Sequence, residues 1–519
     1  MKNSHWFLFI CLIASFMFLF MDSLAYIIPY HEQQELFLFS RSYLESYLYE
    51  SGGFGRYMAN FITQFFYYPY VGKVIFTLLL SFIYLLPCLI CQRIARQNDP
   101  LHLAVVIPLY LLIQFESIDF KFYHASNIFC YLLIFYCLSF LRKRYFYYSL
   151  IPISLITVFY LSWRPLLTSV SVIIISGLSA KYLSRFFTGK KKYCYCLSIS
   201  ICLYIGSTSY LFIINYNMKE RLLLEAEGHF KKKEWEKVLH CADKFRGNNQ
   251  LMEYFRNMAL FHIGRMPYDL LKYPQTQGVA SLYLPWTGEP ERSRYGHYIY
   301  EQLGYINEAH RWAFEAMVVY GETAPIITNL IRYNIAIQRY NVAHRFINVL
   351  KQSLFYKRDT EIYERMIREK QSPFPNTLPY NPEEKVRFAN ILNIGPELSY
   401  LCDRDSSNQM AFEYLMSDLL LSNQITRFAE NLGRIRTFPY ASLPRLYEEA
   451  LYTYKLGVDK ETYDKLGFTI SKETEYRFRT YYTLYRKKEI KKLKEQFGDT
   501  FWYYLHFLSP YGNKIIDKQ

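Results

Sequence analysis

Charge is scarce in this chain: Asp, Glu, Lys and Arg supply 20% of its 519 residues, against roughly 25% in a typical soluble protein. Scarcer still are acids over positions 1–216, which carry 8 Asp+Glu against 16 Lys+Arg. With half of the chain apolar, intrinsic disorder is excluded. Ten cysteines, 21 glycines and 20 prolines are too few for a disulfide scaffold or a collagen. No His-Glu-x-x-His pattern occurs, and the Cys88–Cys91 spacing falls inside an apolar run, so no structural zinc is expected. Eight cysteines lie in or beside apolar runs. Cys241 and Cys402 lie beyond them, far apart in the chain, and read as unpaired buried thiols. From residue 217 onward the missing feature is the long apolar run itself: 44 Lys+Arg and 37 Asp+Glu accompany helical patterning.

What is present is an all-α chain in two unlike halves. A helix that crosses a bilayer needs about 20 largely apolar residues. Seven segments pass or nearly pass, at about 5–28, 72–92, 101–115, 125–141, 146–163, 165–181 and 193–216. The third is short, which leaves six or eight open. Arg93, Arg96, Arg142-Lys143-Arg144, Lys181, Arg185 and Lys190-Lys191-Lys192 fall in alternate loops, whereas the intervening loops hold few bases. The basic set faces the cytoplasm by the positive-inside rule. The N-terminus is then cytoplasmic and residues 217–519 lie outside. Lys2, the run Trp6–Met21 and Ser23-Leu24-Ala25 also fit a cleaved signal, although the aromatic length of the run favours a retained helix. Neither choice changes the side of any later loop.

The first outer loop, 29–71, opens with Pro29-Tyr30-His31-Glu32-Gln33-Gln34-Glu35. It continues through two apolar-spaced segments broken at Gly52-Gly53-Phe54-Gly55, read as amphipathic helices lying in the interface with their aromatic faces toward lipid. Seven of the eight acids in this half sit at or beyond the outer boundary: Asp22, Glu32, Glu35, Glu45, Glu50, Glu116 and Asp119. His31, Arg56, Lys121, His124 and Arg164 accompany them. Polar groups at membrane depth are costly and often functional. A first span followed at once by an acidic motif and interfacial helices resembles the start of the C-type membrane glycosyltransferases. That resemblance covers roughly the first quarter of the chain. It implies a polyprenyl-phosphate-linked sugar donor, catalytic carboxylates among Glu32, Glu35, Glu116 and Asp119, and substrate binding by His31, Arg56, Lys121, His124 and Arg164. No cofactor is implied with certainty, and a divalent metal stays open. Glu-Gln-Gln-Glu replaces the more usual Asp-bearing motif, and seven spans are fewer than many members possess.

In the second half, Asn307 recurs as Asn341 and Ala309 as Ala343, which matches the tetratricopeptide period. Resemblance to tetratricopeptide-like repeats covers about 220–355 within a domain at 217–370. Residues 274–295 read as an inserted loop, and 371–382, with Pro373, Pro375, Pro379 and Pro382, as a break. Helical spacing resumes over 371–519, so the expected architecture is an extracytoplasmic α-solenoid. Histidines 229, 240, 262, 297, 310 and 344 scatter without metal-ligand pairing. The net charge of +15 does not point to nucleic acid, because many bases mark cytoplasmic loops. Expected partners are the bilayer, a polyprenyl-phosphate sugar, and a protein or glycan on the repeat. Gln64-Phe65-Phe66-Tyr67-Tyr68-Pro69 and Trp312-Ala313-Phe314-Glu315-Ala316 resemble a family of bacterial polytopic proteins that end in a tetratricopeptide-like domain, which implies an inner-membrane location. Two readings stay open: a lipid-donor glycosyltransferase, or a non-catalytic membrane-anchored scaffold that binds a protein partner in an envelope assembly.

Overall fold

The computed structural model describes residues 2–95, 99–183, 190–286, 290–375, 377–383, 387–390 and 393–511. Arg96 and Arg185, singled out above, and Gly288 of the 274–295 segment lie outside them. Every regular element among the described residues is helical. The chain divides into two compact units.

The first unit comprises residues 1–218, 322–327 and 345–364. Its helices are α1 (Lys2–Phe20), α2 (Ile28–Glu32), α3 (Arg41–Leu48), α4 (Gly53–Thr63), α5 (Pro69–Ala95), α6 (Val106–Gln114), α7 (Tyr123–Leu138), α8 (Lys143–Leu161), α9 (Trp163–Tyr182) and α10 (Lys190–Asn215). Each of the seven apolar segments read from the sequence contributes a helix. Three stretches, Pro69–Ile94, Trp163–Tyr182 and Tyr195–Asn215, are long and apolar enough to cross a membrane. α6 falls short at 9 residues, because Glu116–Asp119 turn the chain before the run reaches the roughly 20 residues a span requires.

α5, α7 and α9 pack together. Ile90, Tyr131, Phe135 and, from the end of α8, Leu161 form a buried cluster there, with Leu166, Val170 and Ile173 of α9 against it. The outward faces stay apolar: Ile151, Leu155 and Ile213 are 70%, 72% and 72% exposed. A helix apolar on every side has no polar face to offer water.

The aromatic faces of the first loop turn inward instead of uniformly toward lipid. Phe37 contacts Phe39, Tyr43, Tyr57 and Phe61 at centroid distances of 5.0–5.4 Å. Asn60 fixes this pair of helices by donating to the hydroxyls of Tyr43 and Tyr47 at 3.2 and 3.1 Å. Residues 345–364, read from sequence as part of the repeat region, belong to this unit because Phe355 and Tyr356 complete its aromatic cluster. Phe355 stacks on Tyr67 at 5.2 Å. The Tyr356 hydroxyl reaches both oxygens of Glu32 at 2.8 Å. Tyr356→Phe removes that donor from a buried carboxylate and is expected to destabilise the protein by about 1–3 kcal/mol, measured as a lowered Tm in detergent.

The second unit comprises residues 219–321, 328–344 and 365–519. It is built from helix pairs such as Trp235–Lys244 with Gln250–His262, His297–Gln302 with Ile306–Tyr320, and Gly395–Arg404 with Gln409–Leu421. One local device recurs at their turns. The second residue after a helix adopts positive φ and the next helix begins two residues later, at Lys233, Gly264, Gly304, Gln338, Asn423 and Lys488. The repeat spacing read from the sequence reflects this device. Asn307 and Asn341 are each the second residue of the following helix, and Ala309 and Ala343 are fully buried. Cys241 and Cys402 are buried and unpaired.

The 274–295 insertion is pinned by a buried amide pair. Asn257 Nδ2 donates to Gln275 Oε1 and to the Ser281 carbonyl, both at 3.1 Å, and Gln275 Nε2 returns a bond to Asn257 Oδ1. Asn257→Ala strands Gln275 and is expected to cost about 1–3 kcal/mol. The resulting earlier proteolytic cutting within 274–286 would be read by limited digestion. In the proline-rich break, Thr377 N–H turns back on the Phe374 carbonyl at 3.2 Å. Phe374 stacks on Tyr333 at 5.7 Å and lies under the Arg332 guanidinium at 4.7 Å.

Candidate functional site

A cavity of about 690 Å³ opens among the inter-helix loops of the first unit. Its wall includes His31, Glu35, Arg56, Lys121, His124 and Arg164, six of the nine residues singled out from the sequence. They arrive from three separate stretches of chain, and each is anchored by apolar neighbours.

Glu35 follows α2 on an extended segment whose next three residues, Leu36, Phe37 and Leu38, are buried. That segment is tied down where Phe39 N–H donates to the Gln352 carbonyl at 2.8 Å. Lys121 sits in the α6–α7 turn between Phe115 and Phe122. Phe115 stacks on Phe76 at 4.3 Å, and Phe122 packs edge-on against Phe66. Arg56 lies on α4, paired with Glu50 and over the Tyr47 ring. Arg164 is the second residue of α9, beside the Trp163 ring. Neither Lys121 nor Arg164 forms an ion pair with another described residue.

His31 is buried, and its Nε2 lies 3.0 Å from the Phe115 carbonyl. A carbonyl only accepts, so Nε2 carries the proton. Burial lowers the imidazole to about 4; the carbonyl bond opposes this and Lys121 adds to it. The ring is therefore neutral and Nδ1 is an acceptor. Glu35 is open to water yet flanked by protein on most sides. Burial raises its carboxyl above the usual range, while Arg56 and Lys121 pull it back. An acid placed between desolvation and two cations is the kind of group that can take and return a proton.

Three helices also begin at this wall: α4 after Gly52, α7 at Tyr123, and α9 after Ser162. None has a side-chain cap, but the first amides of α4 and α7 are already taken: Gly53 N–H donates to the Glu50 carbonyl at 2.9 Å, and His124 and Ala125 N–H to the Lys121 and Phe122 carbonyls at 3.0 and 3.1 Å. The α8–α9 turn is strained. Ser162 has φ 64° and ψ 163°, a region normally reserved for glycine. Four bonds hold it there. Asn127 Nδ2 donates to the Leu161 carbonyl at 2.7 Å, Tyr131 Oη to the Ser162 carbonyl at 2.8 Å, Gly52 N–H to the Phe159 carbonyl at 2.7 Å, and Ser162 N–H to the Val158 carbonyl at 3.0 Å. Gly55 is required where α4 crosses Asn127, because a Cβ there would fall 2.2 Å from Asn127 Oδ1.

The other three residues singled out from the sequence lie elsewhere. Glu32 is buried and bonded to Tyr356. Glu116 is buried and accepts from Asn217 N–H at 3.2 Å. Asp119 is exposed, and only its backbone bonds locally, to Ser117. Asn127, Ser162, Asn60 and Tyr47 were not singled out. A polar Asn in the apolar run 125–141, and a turn written Ser162-Trp163-Arg164-Pro165, were the available signals.

Residues 1–176 and 127–508 match a family described as a family of unknown function, DUF6057. The chain belongs to it. No curated protein and no solved structure matches the chain. The matched ranges reach into both units.

Proposed function

We propose that this protein is a bacterial inner-membrane glycosyltransferase-like enzyme that uses a polyprenyl-phosphate-linked sugar at the outer membrane face. The convergence of Glu35, Lys121 and Arg164 from three loops into one cavity carries this reading. In the proposed topology the membrane half crosses about seven times with the N-terminus cytoplasmic. The cavity then opens at the ends of α1, α5, α7 and α9 that the positive-inside rule puts outside. The outward apolar faces of α8 and α10 would meet lipid. Residues 217–519 would form an extracytoplasmic tetratricopeptide-like solenoid that receives the acceptor or a partner protein.

The chemistry asks little more of the chain. Ionised Glu35 takes the proton of an acceptor hydroxyl, whose oxygen attacks the anomeric carbon. The bond to the lipid phosphate breaks and its electron pair leaves with the phosphate, inverting the sugar. Lys121 and Arg164 meet the charge that develops on the departing phosphate, with Arg supplying the bidentate fork. His31 Nδ1 accepts from a sugar hydroxyl. Glu32 and Glu116 hold the loops in place.

The test is lipid mass spectrometry on the full chain extracted into native-lipid nanodiscs, with Arg164→Ala alongside. A co-purifying polyprenyl phosphate that the variant loses supports the reading. Ordinary phospholipid alone in both, with a protein retained on the helical repeat, would replace it with a non-catalytic scaffold.

A further inference from the structure

The helix Lys472–Arg486 and its partner Ile490–Phe497 form a hairpin in the second unit. One side of the first helix is core. Tyr481 is fully buried and donates to the Trp502 carbonyl at 3.0 Å. The other side carries Tyr476, Arg479, Tyr482 and Arg486, spaced three, three and four residues apart and thus on one face. All four are exposed, with Tyr476 at 72% and Tyr482 at 47%. Rings and cations alternate along this face.

The face runs into the turn bearing Lys487, Lys488 and Lys491, also exposed. None of Arg479, Arg486, Lys487, Lys488 and Lys491 forms an ion pair with another described residue. The nearby acids are mostly committed or distant: Glu475 pairs with Lys455 and Glu489 with Lys492, Glu473 lies at the end of the hairpin away from the turn, and Glu495 stands one helical turn from Lys491 without pairing to it. A concentration of unneutralised charge beside flat, hydroxyl-bearing rings selects for an anionic polymer built from rings.

We propose that this face is a binding surface for an acidic polysaccharide, the apolar faces of its sugar rings stacking on Tyr476 and Tyr482 and its carboxylates meeting Arg479, Arg486 and the lysines of the turn. A lipid surface fits less well. The exposed rings on the helix face carry hydroxyls, and Ile490 is the hairpin's one exposed aliphatic, whereas interfacial helices present Leu, Phe and Trp. The choice of a glycan over a single-stranded nucleic acid rests on the extracytoplasmic placement proposed above.

The experiment uses the full chain in phosphatidylcholine nanodiscs, immobilised, with polygalacturonate as probe. Dextran, an oligothymidylate and phosphatidylserine vesicles serve as comparators. Polygalacturonate is expected to bind in a salt-sensitive way and dextran not to. Binding should fall by about tenfold or more in Lys487→Glu/Lys488→Glu/Lys491→Glu, and also in Tyr476→Ala/Tyr482→Ala, with Tm unchanged in both. Glu35→Gln should leave polymer binding intact, so a failed cavity reading and a failed surface reading are told apart. An alkaline phosphatase fusion at the C-terminus reports the side of the membrane independently. The proposal is overturned if polygalacturonate does not bind or the tyrosine variant binds as wild type. Tighter binding of the oligothymidylate or the vesicles overturns it too.

Discussion

Glu35→Gln is expected to lower sugar transfer by about 10²–10⁴-fold, the usual worth of a positioned base, while polyprenyl phosphate still co-purifies. The amide keeps the shape and hydrogen-bonding reach of the carboxyl but cannot take a proton. Wild-type transfer should rise with pH through the raised Glu35 pKa and then level off, because only the ionised form accepts the acceptor's proton. The residual rate of the variant should be flat over the same range. Stability should move the opposite way. Burial raises the folded-state pKa of Glu35, so its stabilising contribution is present below the unfolded pKa and is lost as pH rises through the folded one. At neutral pH an ionised Glu35 is a burden on the fold, and Glu35→Gln should melt higher than wild type; in acid the two should converge. Glu32→Gln gives the contrast. It weakens the bond from Tyr356 and should lower Tm with transfer largely kept. If Glu32→Gln instead abolished transfer at unchanged Tm, the base would be Glu32 and the cavity assignment would fail.

Glu32 and Glu35 show what a sequence can and cannot convey. Acids are so few in this half of the chain that each one stands out, and the loops that carry them follow from the alternation of basic residues. Six of the nine chosen residues meet in one cavity because apolar runs force the intervening loops to one end of a helical layer. Nothing local separates Glu32 from Glu35. α2 ends at Glu32 and the chain extends beyond it, so the two carboxylates leave in different directions. What claims Glu32 is Tyr356, 324 residues away. Residues 345–364 mislead for a similar reason: their helical spacing continues the repeat, and distant partners, among them Glu32, Phe39, Tyr67 and Tyr68, draw them into the first unit. The helix pairs of the second unit are more legible, because the positive-φ turn and the buried alanine are local and recur at a fixed distance. Among the apolar segments, α6 illustrates the limit of counting, since hydropathy marks where a run is and a polar turn decides where the helix stops.

Ser162→Gly is expected to separate stability from ligand capture. Glycine adopts the φ and ψ of this turn without penalty. The substitution therefore releases about 1–3 kcal/mol of backbone strain against about 0.5–1 kcal/mol of added chain entropy, and Tm should rise. Asn127→Ala should do the reverse, since the buried Leu161 carbonyl loses its donor at about 1–3 kcal/mol. The strain is held in place by bonds from Asn127, Tyr131 and Gly52, and the residue it aims is Arg164, two positions on. A glycine turn has more freedom, so Arg164 should meet the phosphate less often, and retained polyprenyl phosphate should fall although the protein is more stable. Arg164→Ala sets the floor: losing a charge-assisted contact of about 1.5–3 kcal/mol weakens capture by roughly 10–150-fold. Ser162→Ala, which keeps a Cβ and hence the strain, should resemble wild type in both melting and capture. Should Ser162→Gly raise Tm and leave capture untouched, the turn would be a structural oddity and Arg164 would owe its position to α9 alone. A paired gain in Tm and loss of lipid would show that the strain in this turn is spent on holding the cation where the phosphate departs.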